Sequence, residues 1–264
     1  MKGQVHYEKR GQSALLSIDN PPVNPLSSGV RQGLYDGVSR ALADSDVKAI
    51  VVTGLNRAFI AGADISEFGA AATQGASLND VLKQMESSPK PIVAAINGTA
   101  FGGGLEVALC CDYRIASNTA PVGLPEVKLG LLPGAGGTQR LPRLVGAAAA
   151  INAIVSGDPI AAAKALDMGI VDRVVETDIV ASGLEFADEI IAQGCLHEKL
   201  EISMTKFYPT RETRLCLTQL LPVWTGLTAG SLRHCRYSSA YGQLSMLQIL
   251  MPEWRWRRSV FLNA

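Results

Sequence analysis

Over residues 1–200 the chain alternates unbroken apolar runs with segments whose apolar residues recur every three or four positions. Ala14-Leu15-Leu16-Ser17-Ile18 reads as a short strand, stopped by Asp19-Asn20-Pro21-Pro22. Val30, Leu34, Val38 and Leu42 repeat every four residues, which predicts an amphipathic helix over 28–44. Residues 48–53 form a buried strand stopped by Gly54, and Leu78, Val81, Leu82 and Met85 mark the next helix. A second buried strand at 91–96 leads through Gly102-Gly103-Gly104 into the apolar run 105–111, and a third follows at 113–116. Helices are expected at 147–155, at 161–168 with Gly169 as C-cap, and at 179–192 with Gly194 as stop. A short strand at 171–175 separates the last two. Strands apolar on both faces, alternating with helices, indicate an α/β layered fold. The sequence shows no internal repeat and no low-complexity tract.

Composition narrows the function classes. The 264 residues carry 24 basic and 24 acidic side chains. A net charge of zero argues against a dedicated nucleic-acid binder, which needs a basic excess. With 47% hydrophobic and 18% charged residues, the chain is not wholly disordered. No run of 18 apolar residues exists, so neither a membrane span nor a membrane partner is expected. Residues 1–6 lack the apolar stretch of a signal peptide. The five cysteines have neither disulfide nor zinc spacing, and adjacent Cys110 and Cys111 read as reduced core. A cytoplasmic location, or an organelle matrix, follows, with no metal expected. Composition also divides the chain. Residues 201–264 hold 8 basic and 3 acidic side chains and all three tryptophans, whereas residues 1–200 hold 16 and 21. The expected organisation is therefore one domain over 1–200 followed by an atypical tail over 201–264.

The richest chemistry lies in Asn97-Gly98-Thr99-Ala100-Phe101-Gly102-Gly103-Gly104-Leu105-Glu106. A buried strand runs into three glycines that open a helix, where free N–H groups suit a developing negative charge. The ordinary alternative is a tight turn with no ligand. No G-x-G-x-x-G dinucleotide fingerprint and no phosphate loop occur. A second small-residue turn, Ala58-Phe59-Ile60-Ala61-Gly62-Ala63-Asp64-Ile65, is placed to supply another backbone donor. Glu106 and Glu126 each sit among apolar neighbours, where burial lifts a carboxyl pKa toward the acid/base range. Taken singly, each glutamate reads as a solvated or arginine-paired side chain. Two such carboxylates beside two backbone donors are what proton transfer next to a carbonyl requires.

The chain resembles the enoyl-CoA hydratase/isomerase (crotonase) superfamily from about residue 5 to about residue 195. The resemblance rests on Asn20-Pro21-Pro22-Val23-Asn24, on Ala61-Gly62-Ala63-Asp64-Ile65 and on Asn97-Gly98-x-Ala100-x-Gly102-Gly103-Gly104-x-Glu106. It continues through Gly123-Leu124-Pro125-Glu126-Val127 to Gly134 and through Gly136-Gly137-Thr138-Gln139-Arg140-Leu141-Pro142-Arg143. The wording is most similar to the hydratase half of the bifunctional and multifunctional β-oxidation enzymes. With no second fingerprint here, the dehydrogenase half of those enzymes is expected to be absent. The resemblance implies a ββα superhelix core followed by a C-terminal helical region, assembled as a homotrimer or hexamer. It also implies hydration of a 2-enoyl-CoA, with Δ3-Δ2 isomerase activity as a companion. Ala63 and Gly103 would then form the oxyanion hole, and Glu106 and Glu126 would be the acid/base pair. Asn24, Arg57, Ala61, Asp64 and Ile65 fall where coenzyme A contacts are expected. Coenzyme A is part of the substrate, so no separate cofactor is implied. Pro25, Ser66 and the tail depart from the family pattern, and the tail reads as a shifted reading frame or other non-homologous sequence. The rival reading is a non-catalytic acyl-CoA-binding or assembly subunit, or an isomerase or hydrolase of the same family. A serine or cysteine hydrolase would need a histidine base, and His6, His197 and His234 all lie outside the matched blocks.

Overall fold

The structure, a computed structural model, describes residues 3–67 and 75–194. The chain enters through β1 (Gln4–Arg10), β2 (Ser13–Asp19) and α1 (Ser28–Ala43). It continues with β3 (Ala49–Gly54), β4 (Ala58–Ile60), a 3-10 turn at Ile65–Glu67 and α2 (Leu78–Glu86). Next come β5 (Ile92–Ile96), β6 (Thr99–Phe101) and α3 (Gly103–Cys110). Then follow β7 (Tyr113–Ser117), β8 (Val122–Gly123), a second 3-10 turn at Pro125–Leu129 and α4 (Gly137–Val145). The elements α5 (Ala147–Ser156), α6 (Ala162–Met168), β9 (Arg173–Val175) and α7 (Ile179–Ala192) complete the described part.

The strands form a six-stranded sheet in the order β1-β2-β3-β5-β7-β9 and a three-stranded sheet in the order β4-β6-β8. Among the described strands, only β1 runs antiparallel, against β2; every other strand pairing is parallel. Parallel neighbours need a crossover, and here it takes a repeated form. Each of β3-β4-α2, β5-β6-α3 and β7-β8-α4 gives one strand to the large sheet and the next to the small one, then a helix returns the chain. This is the ββα superhelix that the resemblance implied.

The central strands β3 and β5 are buried at every residue, which is why their sequences are continuous apolar runs. α7 covers one face, packing Ala187 and Ile190 against Leu15, Val51, Val93, Ala95 and Ile115. α2 begins at a capping box in which Ser77 and Asp80 satisfy each other's backbone amides. The expected strands at 14–18, 48–53, 91–96 and 113–116 coincide with β2, β3, β5 and β7. Gly169 caps α6 in the left-handed conformation, with φ +77°. The elements not anticipated are β1, the three short strands β4, β6 and β8, and α4. β1 is largely exposed and charged, and the small-sheet strands are only two or three residues long. The tail expected over 201–264 lies outside the described residues. No helix among the described residues is long and apolar enough to cross a membrane.

One close approach fixes where α3 sits. A Cβ on Gly104 would collide with the carbonyl oxygen of Ile60 at the end of β4. In an ordinary helix, glycine to alanine stabilises by about 0.8–1 kcal/mol. Here the new methyl meets backbone that cannot rotate away, so Gly104→Ala is expected to destabilise by roughly 3 kcal/mol. The urea unfolding midpoint checks this, and a midpoint at or above wild type would show that α3 can withdraw from β4.

Candidate active site

Three parallel strands end at one edge of the small sheet, and the residues just past those ends build the site. After β4 the chain turns through Ala61–Asp64. After β6 it passes Gly102 into α3, and after β8 it enters the 3-10 turn that carries Glu126. Ala63, Gly103 and Glu126 therefore come from three successive ββα units, and Glu106 lies one turn into α3.

The turns of Ala63 and Gly103 touch. The Leu26 amide donates to the Gly62 carbonyl at 2.8 Å, in a bridge between Leu26 and Ala63. That bond leaves the Ala63 amide nitrogen 3.9 Å from where a Cβ on Gly103 would stand. The Leu26 Cδ1 lies 2.9 Å from the same point, so Leu26 packs against both turns. Gly103 is the first residue of α3, where the backbone N–H has no intrahelical acceptor. The two amides expected to form an oxyanion hole are thus neighbours.

The carboxylates are environments of different kinds. Glu106 is only 2% exposed, and its Oε1 accepts the Ala135 and Gly137 amides, each at 2.8 Å. Burial raises its pKa above the ordinary carboxylate value, and the two amides and the charge of Arg140 offset only part of that rise. Glu126 has less support, its own backbone amide being the one donor that favours its anion. Its Oε2 is buried without a hydrogen-bond partner among the described residues, and its Oε1 lies 3.1 Å from where a Cβ on Gly102 would stand. Burial, with the nearby charge of Glu106, pushes the Glu126 carboxyl up to about 7. Gly102 itself has φ +52° and ψ −124°, so any side chain there would be strained as well as pressed on this carboxylate.

The remaining expected residues differ in what they present. Asn24 is fully buried, and its side-chain amide donates to the carbonyls of Leu55 and Ala58 at 2.8 Å each. Its Oδ1 accepts the Asn20 amide, so the side chain shapes the turn and offers a ligand nothing. Asp64 accepts the Ser66 amide and hydroxyl at 3.0 and 2.6 Å, closing its own turn. The Ala61 amide donates to the Val23 carbonyl at 3.1 Å. Arg57 is exposed, and Ile65 is 65% exposed. Leu26, Ala135 and Arg140 join the site without any role that the sequence patterns assign them. For the last two the available signal was the glycine-rich entry to α4 in Gly134-Ala135-Gly136-Gly137-Thr138-Gln139-Arg140.

The family model described as enoyl-CoA hydratase/isomerase matches residues 8–214. The peroxisomal bifunctional enzyme of Pongo abelii is 50% identical over 200 residues, covering 76% of this chain and 28% of that protein. The chain thus spans about a quarter of the length of such relatives. A probable enoyl-CoA hydratase of Bacillus subtilis is 47% identical over 60% of this chain and 64% of its own. A crystal structure of enoyl-CoA hydratase from Bacillus anthracis superposes with a TM-score of 0.67 at 27% identity, over 93% of this chain and 96% of that one. With the ββα superhelix, the paired glutamates and the matched span taken together, the chain belongs to the enoyl-CoA hydratase/isomerase family.

Proposed function

We propose that this protein adds water across the 2,3 double bond of a 2-enoyl-CoA thioester in fatty-acid β-oxidation. The observation that carries the reading is the pair Glu106 and Glu126, held in unlike environments beside the neighbouring amides of Ala63 and Gly103. In the reading, the thioester oxygen accepts from both amides, which stabilise the enolate as it develops. Glu106, favoured as an anion by its two amide donors, takes a proton from water, and the hydroxide oxygen bonds to C3. Glu126, with a pKa of about 7, holds a proton near neutrality and delivers it to C2. Transfer of the Glu106 proton to Glu126 restores both groups. The same Glu126, moving a proton beside the thioester, supports Δ3-Δ2 isomerisation as a side activity. No separate cofactor takes part, because coenzyme A enters as the carrier of the acyl group. The approach built by Ala61, Asp64 and Ile65, with Arg57 close in sequence, is where we place that carrier. Assembly as a homotrimer or hexamer belongs to the same reading. So does residence in an organelle matrix or the cytoplasm, the former being where the peroxisomal relatives are named for.

Three outcomes follow. Purified protein consumes crotonyl-CoA, seen as loss of the conjugated enoyl thioester absorbance; binding without turnover would instead mark a non-catalytic acyl-CoA-binding subunit. Glu106→Gln and Glu126→Gln each lower the rate by about 10²–10⁴-fold with the fold intact. A variant keeping more than about a tenth of wild-type rate removes that residue from the chemistry.

The pH dependence has a defined sign. As pH rises through about 7, Glu126 loses its proton and kcat/KM falls. The residual rate of Glu126→Gln lacks that alkaline limb. Folding raises the Glu126 pKa, so the folded state binds this proton more tightly than the unfolded chain does. The stabilisation this gives is complete at acid pH, and it is lost as pH rises toward 7. Glu126→Gln is therefore expected to be more stable than wild type at pH 8, by about 1 kcal/mol or more, and no more stable near pH 4. Urea denaturation at the two pH values measures the difference.

A further inference from the structure

Behind Glu106 stands an ion pair that the proposed chemistry does not use. Arg140, in the first turn of α4, donates its Nε to Glu86 Oε1 at 2.6 Å, and Glu86 is the last residue of α2. The same guanidinium donates Nη1 to the Ala135 carbonyl at 2.6 Å. That carbonyl belongs to the peptide lying between the two whose amides hold Glu106 Oε1. One rigid fork therefore grips α2 on one side and, on the other, the turn that carries both donors. The Arg140 side chain is 18% exposed, so this is a partly desolvated contact and not a solvated surface pair.

We propose that Arg140, anchored by Glu86, is a positioning residue that fixes the Glu106 carboxylate through the Ala135–Gly137 turn. Its consequence for turnover rests on the hydratase reading, whereas its effect on Glu106 does not. A planar fork is needed because two acceptors in different elements must be met at once; a lysine in that place carries the charge but meets them less rigidly. If the fork is lost, the turn is free to swing and Glu106 loses donors that favour its anionic form. Arg140's charge goes with it, and that charge also favours the anion. The other groups facing Glu106 are Glu126 from the second 3-10 turn and Cys110 from α3 itself, with Glu86 of α2 acting through Arg140. None of these is altered in Arg140→Gln, so the direction of the change is fixed: Glu106 titrates higher.

The test follows the Glu106 carboxyl directly, in the full chain carrying ¹³C-labelled glutamate, without substrate. The Glu106 signal is the one lost in Glu106→Gln. In Arg140→Gln its midpoint is expected to rise by about one unit. Arg140→Lys, which keeps the charge but not the fork, should give a smaller rise. Glu86→Gln loosens Arg140 but also removes a carboxylate, two effects of opposite sign on Glu106, so Arg140→Lys, which leaves every charge in place, decides the matter if Arg140→Gln does not fold. With crotonyl-CoA, Arg140→Gln is expected to lose about tenfold or more in kcat with KM within about threefold, and Arg140→Lys to recover part of it. An unchanged Glu106 midpoint in folded Arg140→Gln, or in Arg140→Lys where the former does not fold, overturns the proposal. A wild-type protein that does not turn over crotonyl-CoA overturns the hydratase reading instead, and the titration still decides the role of Arg140.

Discussion

A carboxylate buried as deeply as Glu106 needs donors before it can carry a charge, and it finds them in the backbone of a single turn. That requirement orders much of the neighbourhood. The turn at Ala135–Gly137 must approach α3 closely enough for two amides to reach one oxygen. α4 must start immediately after it, and its first-turn arginine closes the turn from behind. Backbone amides suit this task better than a lysine or arginine in direct contact. They favour the anion without neutralising it, and they bring no mobile side chain into the space a substrate needs.

The second constraint is the packing of α3 on the end of β4. Because no side chain separates Gly104 from the Ile60 carbonyl, the start of the helix lies directly against the turn that carries Ala63. The two amides become neighbours as a result of packing between ββα units, not of any local motif. The same arrangement repeats along the superhelix. Each small-sheet strand is only two or three residues long, yet being parallel to its neighbours it delivers its C-terminal end to a common edge. Three short strands thereby bring three loops to one edge, the end of a parallel sheet at which α/β proteins commonly bind ligands.

How much of this was legible depended on what each element buries. β2, β3, β5 and β7 lie in the large sheet and are mostly or wholly buried, so their apolar runs announce them. α1 and α7 present periodic faces to that sheet and are equally plain. β1 is an antiparallel edge whose Gln-Val-His-Tyr-Glu-Lys-Arg sequence is mostly exposed, so no run marks it. β4, β6 and β8 are too short to have a period, and α4 is obscured by the glycines before it and by Pro142 within it. The repetition of the ββα unit is invisible in the sequence, because loops of different length and composition join the same elements. In the site, Glu106 and Glu126 were detectable as carboxylates in apolar surroundings. Asn24 was not readable in the same way. An asparagine in a proline-rich turn looks available, and only its two carbonyl acceptors and its left-handed backbone, φ +53°, reveal a structural part.

What makes the pair of glutamates chemically useful is that the fold treats them differently. Two equivalent buried carboxylates this close would share a proton and offer the same group twice. Here the inequality is built in. Glu106 receives two amides and faces a guanidinium; Glu126 has only its own backbone amide and faces Gly102 and the negative charge of Glu106 itself. The more firmly Glu106 is held as an anion, the more strongly it favours the protonated form of Glu126. Burial does most to keep Glu126 protonated, and the charge of Glu106, held by its donors, adds to it, so that an acid and a base stand side by side near neutrality. In the proposed reaction this coupling also has a direction. Once Glu106 accepts a proton from water, its share of the upward push on the Glu126 pKa is relieved, and Glu126 becomes the better donor at the moment the enolate needs a proton.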